Sequence, residues 1–537
     1  MLNFKLLIIM KKSFLKIFFV TGLFLVASCS EDLLEPYNPG SLTQDEALTN
    51  VSDLTLMVNG AYANMNSRSE SEFVSIFTDE VGIGFANGGQ GLSAEWIFQM
   101  IPNSNLPTAI WTQSYASLAR ANRVILYADK VTVGTGTGET ETDRKKALAQ
   151  AYALRAYNHL RILAYFSTNP KDDSALAGIL STRIYAYDEP GQQRTTNGEF
   201  YKLIFEDLDK SIDLYNQIGA GLSAADKLQA NKFFAMGLKA RAYAYRGDYP
   251  NALIWANNVI AQSGAVLATK AQYRNTFFTD TDVTEVLFKL KRNAISNSQG
   301  YNLHNAWCSV RPRLTGSPIY EVGRSLHNRL NPSNLDPATL STTVADVRAN
   351  VLIAPSSILA ANYVNTQDYR NDDIIVINKH GGVATGATTP AVTSSNGFNN
   401  DIKIMRLSEM YLIRAEALVA ANNRPGAAAA IKIIRDARYG SAQILPTYAT
   451  ATDAWAAILN ERRLEFAFEG YRFLDLKRLG TLANVGIDRD AADYSSASAN
   501  FPAANPVNLP LNSYKWALPI PQAEINANPN ITQNPGY

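Results

Sequence analysis

The sequence predicts a mostly helical protein, in which a scaffold of paired helices carries long irregular segments and a few short strands. Apolar residues recur at three- and four-residue spacing, the period of an amphipathic helix, in residues 107–130, 143–167, 198–217, 225–246, 249–263, 404–421, 425–438 and 452–469. Stretches rich in Gly, Asn, Ser, Thr and Pro lie between them, notably residues 80–105, 264–400 and 481–515. Irregular segments of this length in a folded domain are usually functional loops.

Residues 1–28 are predicted to be a lipoprotein signal peptide. Lys11, Lys12 and Lys16 precede an apolar run, and small residues come directly before Cys29. The alternatives are an ordinary signal peptide or an anchor helix, but the apolar run is shorter than the about 20 residues that a spanning helix needs. The sequence therefore predicts lipid attachment at Cys29, which would become the N-terminus of the mature protein.

The rest of the chain is predicted to divide into a short tether and one large domain. Residues 29–47 contain Pro36, Pro39 and Gly40 and few periodic apolar residues, so we expect a lipid-anchored tether there. Residues 48–537 are predicted to form a single domain. Its predicted parts are a helical part at about 48–263, a loop-rich insertion at about 264–400, a second helical part at about 401–537, and two short strands at 286–290 and 373–377.

The composition argues against several kinds of partner and site. Basic residues number 49 and acidic residues 48, so the net charge of +1 offers no excess that would recruit nucleic acid. The only cysteines are Cys29 and Cys308, and we expect neither an intramolecular disulfide nor a thiolate metal cluster. The histidines are scattered outside metal-binding motifs. We therefore predict no metal and no cofactor, although a calcium ion held by scattered oxygens stays open.

Four of the predicted helices share an Arg-Ala centre, at Arg120, Arg155, Arg241 and Arg414. The first two are 35 residues apart, close to the tetratricopeptide period of about 34. Gly247, after the third copy, would permit a tight turn into a second helix. Because the copies are irregularly spaced, we interpret them as a tetratricopeptide-like scaffold interrupted by insertions, with generic helical hairpins as the alternative.

Four segments in a fixed order carry a family resemblance. They are Cys29-Ser-Glu-Asp-Leu-Leu-Glu-Pro-Tyr-Asn-Pro39, Leu154-Arg-Ala-Tyr-Asn-His-Leu-Arg-Ile-Leu-Ala-Tyr-Phe166, Met405–Ala417 with Glu461–Arg478, and Leu518-Pro-Ile-Pro-Gln522 with Gln533-Asn-Pro-Gly-Tyr537. Together they span nearly the whole mature chain. In these segments the chain resembles the SusD/RagB family of outer-membrane nutrient-binding lipoproteins of Bacteroidetes.

The resemblance implies four tetratricopeptide-like units supporting a loop-rich, ligand-binding region. It implies an outer-membrane position, anchored through the lipid on Cys29 and facing the cell exterior, because Ser30-Glu31-Asp32 matches the acidic export signal of the family. The implied partners are a SusC-like TonB-dependent barrel and an oligosaccharide, captured and delivered without catalysis. A peptide ligand, as in RagB-like members, is an alternative, and a scaffold for envelope assembly is another.

Three glutamates, Glu461, Glu465 and Glu469, repeat every four residues and so share one helical face. Glycosidases use two carboxylates roughly 5–9.5 Å apart, so a lipid-anchored glycoside hydrolase is an alternative function. Arginines are interleaved with the glutamates, and we favour structural ion pairs and no catalytic residues. The interleaved arginines are Arg462, Arg463, Arg472 and Arg478.

Sugar binding needs flat aromatic faces together with planar hydrogen-bonding groups. Trp96 and Trp307 lie in predicted loops, where the resemblance implies ligand contacts, and each either contacts a ligand or anchors its own loop. The predicted ligand-binding residues are these two tryptophans, the polar neighbours of Trp307 (Tyr301, Asn305 and Arg311), and Asp79 just before the first loop.

Overall fold

The computed structural model describes residues 47–65, 68–83, 94–186, 188–219, 221–291, 320–360, 373–379, 401–490, 493 and 508–537. Residues Asn50–Tyr537 form one unit and Met1–Thr49 form another. The predicted signal peptide and the predicted tether up to residue 46 lie outside the described residues. In the parts of the chain that the structure describes, no helix combines the length and the apolar character of a membrane span.

The N-terminal part of the scaffold consists of long helices that pack side by side. They are α1 (Val51–Asn64), α2 (Arg68–Phe77), α3 (Asn105–Tyr127), α4 (Glu141–Phe166), α5 (Asn197–Gln217), α6 (Lys232–Arg246) and α7 (Tyr249–Gln262), with the short strand β1 (Val81–Ile83) after α2. Helix α3 packs on α4, α4 on α5, and α6 on α7. The helices predicted here are confirmed, except that the segment predicted from residue 225 begins with a separate short 3-10 turn before α6.

Local chemistry explains where these helices begin and end. Thr140 and Asp143 form a capping box at the start of α4, each side chain accepting the other's backbone N–H at 3.1–3.2 Å. Gly247 ends α6 with a φ of 86°, a left-handed conformation that favours glycine. Asp248 then caps α7 by accepting from the backbone N–H of Asn251 at 3.2 Å. The tight turn predicted at Gly247 is confirmed.

The predicted loop-rich insertion contains regular elements in its described parts. They are α8 (Lys270–Phe278), β2 (Val286–Leu290), β3 (Tyr320–Val322), α9 (Arg324–Leu330), α10 (Leu340–Thr343) and α11 (Val347–Leu352). The strand predicted at Val286–Leu290 is confirmed. The strand predicted at 373–377 is wrong, because only two single bridges form, between Ile374 and Ile358 and between Ile377 and Ile353.

The C-terminal part completes the helical scaffold. It comprises β4 (Ile402–Arg406), α12 (Leu407–Ala420), α13 (Arg424–Tyr439), α14 (Ala451–Phe466), α15 (Arg472–Ala483) and α16 (Gln522–Ala527). The prediction of one helix over 404–421 is wrong for its first three residues, because β4 pairs antiparallel with β2 through residue Arg406. The predicted turn into α13 is confirmed, since Asn423 caps it by accepting from the backbone N–H of Gly426 at 2.9 Å.

The last residues of the chain pack against the end of α4. The Leu518 N–H donates to the Tyr165 carbonyl at 2.9 Å, and the Asn534 side-chain amide donates to the carbonyls of Phe166 (2.8 Å) and Leu518 (2.7 Å). The last carbonyls of a helix lack partners within it, so Asn534 satisfies one of them. This explains the Gln533–Tyr537 motif as a structural clasp.

The core between α2, α4, α15 and this C-terminal segment is aromatic. Phe473 lies at its centre, fully buried, with ring centroids 5.2 Å from Phe73, 5.3 Å from Phe77, 5.7 Å from Tyr165 and 5.3 Å from Trp516. The edge-on and stacked geometries of these rings are the favoured ones for aromatic pairs. This core joins elements from both ends of the described domain.

Candidate ligand-binding site

A two-stranded sheet joins the segments that carry the predicted ligand residues. Strand β1 pairs antiparallel with β3, with Gly82 opposite Glu321 and Ile83 opposite Tyr320. Residues 84–93 follow Ile83 directly in the sequence, and residues 292–319 end directly before Tyr320. The sheet therefore fixes the points from which both predicted loops continue.

Beside this sheet lies a small polar cavity of about 30 Å³. We call five of its lining residues the platform: Gly82, Glu321, Arg324, Asp373 and Asp493. Arg324 pairs with the Asp373 carboxylate at 3.2 Å, and the Arg324 N–H donates to Asp493 Oδ1 at 3.0 Å. The Ile375 N–H donates to Glu321 Oε2 at 2.9 Å, which ties the strand-like segment 373–377 to the sheet.

Position 82 on β1 favours glycine, because the Asp493 carboxyl packs closely against it. A Cβ atom at position 82 would lie 2.7 Å from Asp493 Oδ1, closer than real contacts allow. Burial raises the pKa of Asp493 to about 7, and it also raises the pKa of Asp373 although Arg324 opposes that shift. The platform thus combines a guanidinium with one carboxyl, that of Asp493, that can donate as well as accept hydrogen bonds near neutral pH.

Asp79 lies within an ion-pair cluster behind the platform. Arg472 Nε and Nη2 donate to its two oxygens at 2.8 and 2.7 Å, and the Asp488 N–H donates to Oδ2 at 3.0 Å. Burial alone would raise the pKa of Asp79, but Arg463 and Arg472 together hold it below its ordinary value. Asp79 is therefore engaged by protein groups, and its contact with a ligand stays a prediction.

Trp96 is fully buried, with 0% of its surface exposed. The Arg489 guanidinium lies over its ring at 3.8 Å from the centroid and donates to the Trp96 carbonyl at 2.7 Å. The same guanidinium donates to carbonyls of Ile76, Phe77 and Thr78 at the end of α2, at 2.8–3.1 Å. Through these contacts Trp96 anchors its own segment, which is one of the two roles that the sequence left open. Contact of its ring with a ligand stays a prediction.

The other predicted site residues all lie outside the described residues. They are Trp307, Tyr301, Asn305, Arg311 and the lipidation residue Cys29. The platform residues and Arg489 were in turn missed by the sequence reasoning. A weak signal existed, because Asp373 is the first residue of one of the two predicted strands and Gly82 lies near the start of the irregular segment predicted over residues 80–105.

The three glutamates form buried ion pairs. Glu461 and Glu465 lie on α14, but Glu469 lies in the turn after it, so the prediction that all three share one helical face is wrong for Glu469. Glu465 accepts from Arg406 Nη1 at 2.6 Å and from Arg438 Nη2 at 2.7 Å. Burial alone would raise the pKa of Glu465, but these arginines hold it below its ordinary value. Glu461 pairs with Arg348 and Glu469 with Arg406, each at 2.7 Å. The prediction of ion pairs is confirmed.

The arginines that are interleaved with these glutamates form ion pairs of their own. The interleaved arginines pair with carboxylates of other elements: Arg462 with Asp475, Arg463 with Asp488, Arg472 with Asp79, and Arg478 with Glu416. Arg462 and Arg463 are adjacent on α14, so they point to different sides of the helix and reach different buried neighbours. Across the described part of the chain, no group of three or more His, Cys, Asp or Glu residues is placed to hold a metal ion.

A second cavity, about 60 Å³, lies within the scaffold. Its charged wall residues are paired with each other or with neighbours, Arg161 with Glu70 at 2.9 Å and Arg241 with Glu409 at 2.6 Å. Neither Asp79 nor Trp96 lines it. Two larger cavities, of about 160 and 380 Å³, lie beside Arg329 and beside Arg435. We take the platform as the candidate site because it adjoins the predicted ligand segments.

Comparison with known proteins shows which proteins the chain is similar to. A family model described as "SusD family" matches residues 357–537. A SusD-like protein P2 of Formosa agariphila is 24% identical over 97% of this chain and 99% of its own length. The starch-binding protein SusD of Bacteroides thetaiotaomicron is 24% identical over 66% of this chain and 68% of its own.

The fold comparison agrees. A solved laminarin-binding SusD-like protein superposes with a TM-score of 0.62 at 20% identity, over 91% of this chain and 100% of that one. The C-terminal third of the chain thus matches the SusD family model, and nearly the whole chain is similar to SusD-like proteins in sequence and in fold.

Proposed function

We propose that this protein is a cell-surface lipoprotein that binds oligosaccharides and delivers them to a SusC-like TonB-dependent barrel of the outer membrane. The observation that carries the proposal is its similarity, over nearly the whole chain, to a family whose members include a starch-binding and a laminarin-binding protein. The protein would act by binding alone, since its aligned glutamates are each engaged by arginine.

The chemistry of the platform supports a hydroxyl-rich ligand. A cavity of about 30 Å³ has room for a water but not for a sugar ring, so the platform would form a polar floor beneath the ligand. The carboxyls and guanidinium of the platform lie next to Ile83 and Tyr320, from which residues 84–93 and 292–319 continue in the sequence. Trp307 and Tyr301 would supply the flat faces that sugar rings require, with Asn305 and Arg311 bonding hydroxyls. The net charge of +1 suits a neutral glycan.

The test is calorimetric binding to a panel of neutral and acidic glycans, with Trp307→Ala as the site variant. If Trp307 stacks on a sugar, we expect this variant to lose at least tenfold in affinity, about 1.4 kcal/mol. Trp255→Ala is the matched control, because Trp255 lies on α7 of the scaffold, under the Lys239 ammonium at 4.3 Å from the ring centroid. Its glycan affinity should equal that of the wild type.

Each alternative has its own outcome in the same experiment. Equal affinity of wild type and Trp307→Ala for a bound glycan would remove Trp307 from the site. Binding of peptides but of no glycan in the panel would favour a RagB-like peptide-binding role. Release of shorter glycans during incubation, followed by chromatography, would revive the glycosidase alternative.

The anchor is tested separately. Cys29→Ala removes the thiol that would carry the lipid, so we expect the protein to move from the membrane fraction to the soluble one in cell fractionation. Affinity of the purified variant for the glycan should be unchanged, because the lipid serves to keep the protein near its barrel and so makes rebinding effectively intramolecular. Persistence of the variant in the membrane fraction would count against lipidation at Cys29.

A further inference from the structure

Arg463 joins three segments of the chain that are far apart in sequence. It lies on α14 with 2% of its surface exposed. Its Nη2 donates to the Asp79 carbonyl at 2.7 Å and to Ser325 Oγ at 2.6 Å, and its Nη1 donates to Asp488 Oδ2 at 3.2 Å. We call this arrangement the Arg463 junction.

Each segment at the junction carries part of the platform. Asp79 leads into β1 and Gly82, Ser325 follows Arg324 at the start of α9, and Asp488 precedes Asp493 by five residues. Arg463 does not line the platform cavity; together with Arg472 and Asp488 it lines a separate cavity of about 160 Å³. The junction therefore lies behind the platform and fixes the backbones that bear it.

The three segments are also linked to one another by direct hydrogen bonds. The Asp488 N–H donates to Asp79 Oδ2 at 3.0 Å, the Gly323 N–H donates to the Glu80 carbonyl at 2.9 Å, and Ser325 Oγ donates to the Asp488 carbonyl. A guanidinium is planar, with donors at fixed angles, so it sets the directions as well as the distances of its partners. A lysine ammonium at this position would not hold three partners in one plane.

We propose that Arg463 is a positioning residue for ligand binding, which sets the relative placement of the platform segments without touching the ligand. The inference rests on the proposed glycan-binding function. It differs from a purely stabilising role, because it predicts that loss of Arg463 lowers affinity in protein that is still folded.

The chain offers a matched control in the neighbouring residue. Arg462 is equally buried, but it pairs with Asp475 at 2.8 Å and with Glu416 at 3.4 Å, within the scaffold. When either arginine is removed, the carboxylates beside it still have another arginine as a partner. Asp79 keeps Arg472, and both Asp475 and Glu416 keep Arg478.

The experiment compares Arg463→Met, Arg463→Lys and Arg462→Met by urea unfolding and by calorimetric titration with a glycan that the wild type binds. Both methionine variants should lose stability to a similar extent. Only Arg463→Met should lose affinity, by at least tenfold, with Arg463→Lys in between. Wild-type affinity in folded Arg463→Met, or an equal loss in Arg462→Met, would overturn the inference. If Arg463→Met does not fold, the glycan affinities of Arg463→Lys and Arg462→Met are compared instead. A loss of affinity in Arg463→Lys alone would support the inference, and wild-type affinity in Arg463→Lys or an equal loss in both variants would overturn it.

A second measurement separates this inference from the proposed function. If the wild type binds no glycan of the panel, the proposed function fails, and amide hydrogen exchange then tests the junction alone. We expect faster exchange at Gly82 and Arg324 in Arg463→Met than in Arg462→Met. Equal exchange in the two variants would show that Arg463 does not position these segments.

Discussion

Replacing Glu465 by glutamine is expected to lower the free energy of unfolding by about 3–5 kcal/mol, the range found when one partner of a buried ion pair is removed. Glu465 is fully buried on α14, where its carboxylate accepts from Arg406 and Arg438. Glutamine keeps the shape but removes the charge. The arginines then stay buried with too little opposing charge, and burial of an uncompensated charge is costly.

The balance of charge around Glu465 makes the effect large. The connected cluster contains equal numbers of cations and carboxylates among the residues that the structure describes. The cations are Arg348, Lys379, Arg406, Arg435 and Arg438, and the carboxylates are Glu285, Asp346, Glu461, Glu465 and Glu469. Because the cluster is neutral as a whole, removing one carboxylate leaves a net buried charge.

The measurement is urea unfolding followed by circular dichroism, with Glu141→Gln as the control for the same substitution at the surface. Glu141 is half-exposed and pairs with Arg144 one turn along α4, so its loss should cost about 0.5 kcal/mol or less. If Glu465→Gln unfolds at the same urea concentration as Glu141→Gln, the buried cluster does not stabilise the protein in this way.

Replacing Phe473 by alanine is expected to cost about 3–5 kcal/mol for a different reason, the loss of a buried ring and the cavity left behind. Phe473 contacts four other aromatic rings, which come from α2, α4 and the C-terminal segment. Those rings belong to separate elements, so the core cannot collapse around the gap without moving a helix.

Phe473→Leu supplies the graded comparison. Leucine fills part of the space, so we expect a smaller loss of about 1–2 kcal/mol, in the same urea experiment. A purely volume-dependent effect predicts the order alanine, leucine, wild type in increasing stability. Equal stability of the alanine and leucine variants would contradict the cavity argument.

Helices could be predicted from this sequence because their signals are local. The turn at Gly247 and the cap at Asn423 both lie where residues a few positions apart decide the conformation. Strand β4 was missed because Ile402–Arg406 precedes a helix of the same apolar character, and only its pairing with β2, more than a hundred residues earlier, makes it a strand.

The site could be predicted only in outline. The two loops that carry Trp96 and Trp307 stand out by composition, but the cover over Trp96 comes from Arg489, which lies 393 residues away. The same holds for Asp79, whose partner Arg472 is equally distant in sequence. Contacts of this separation leave no trace in a local pattern, so the platform became visible only in the structure.

The clasp at the end of the chain has a consequence for how the protein matures. Asn534 satisfies a carbonyl of α4 that was synthesised 368 residues earlier, and Trp516 fills the aromatic core beside α2. A nascent chain that has not yet reached residue 516 therefore lacks both contacts, and its aromatic core beside α2 stays incomplete. Packing of this core can be completed only late in synthesis, and apolar surface exposed before that point favours aggregation.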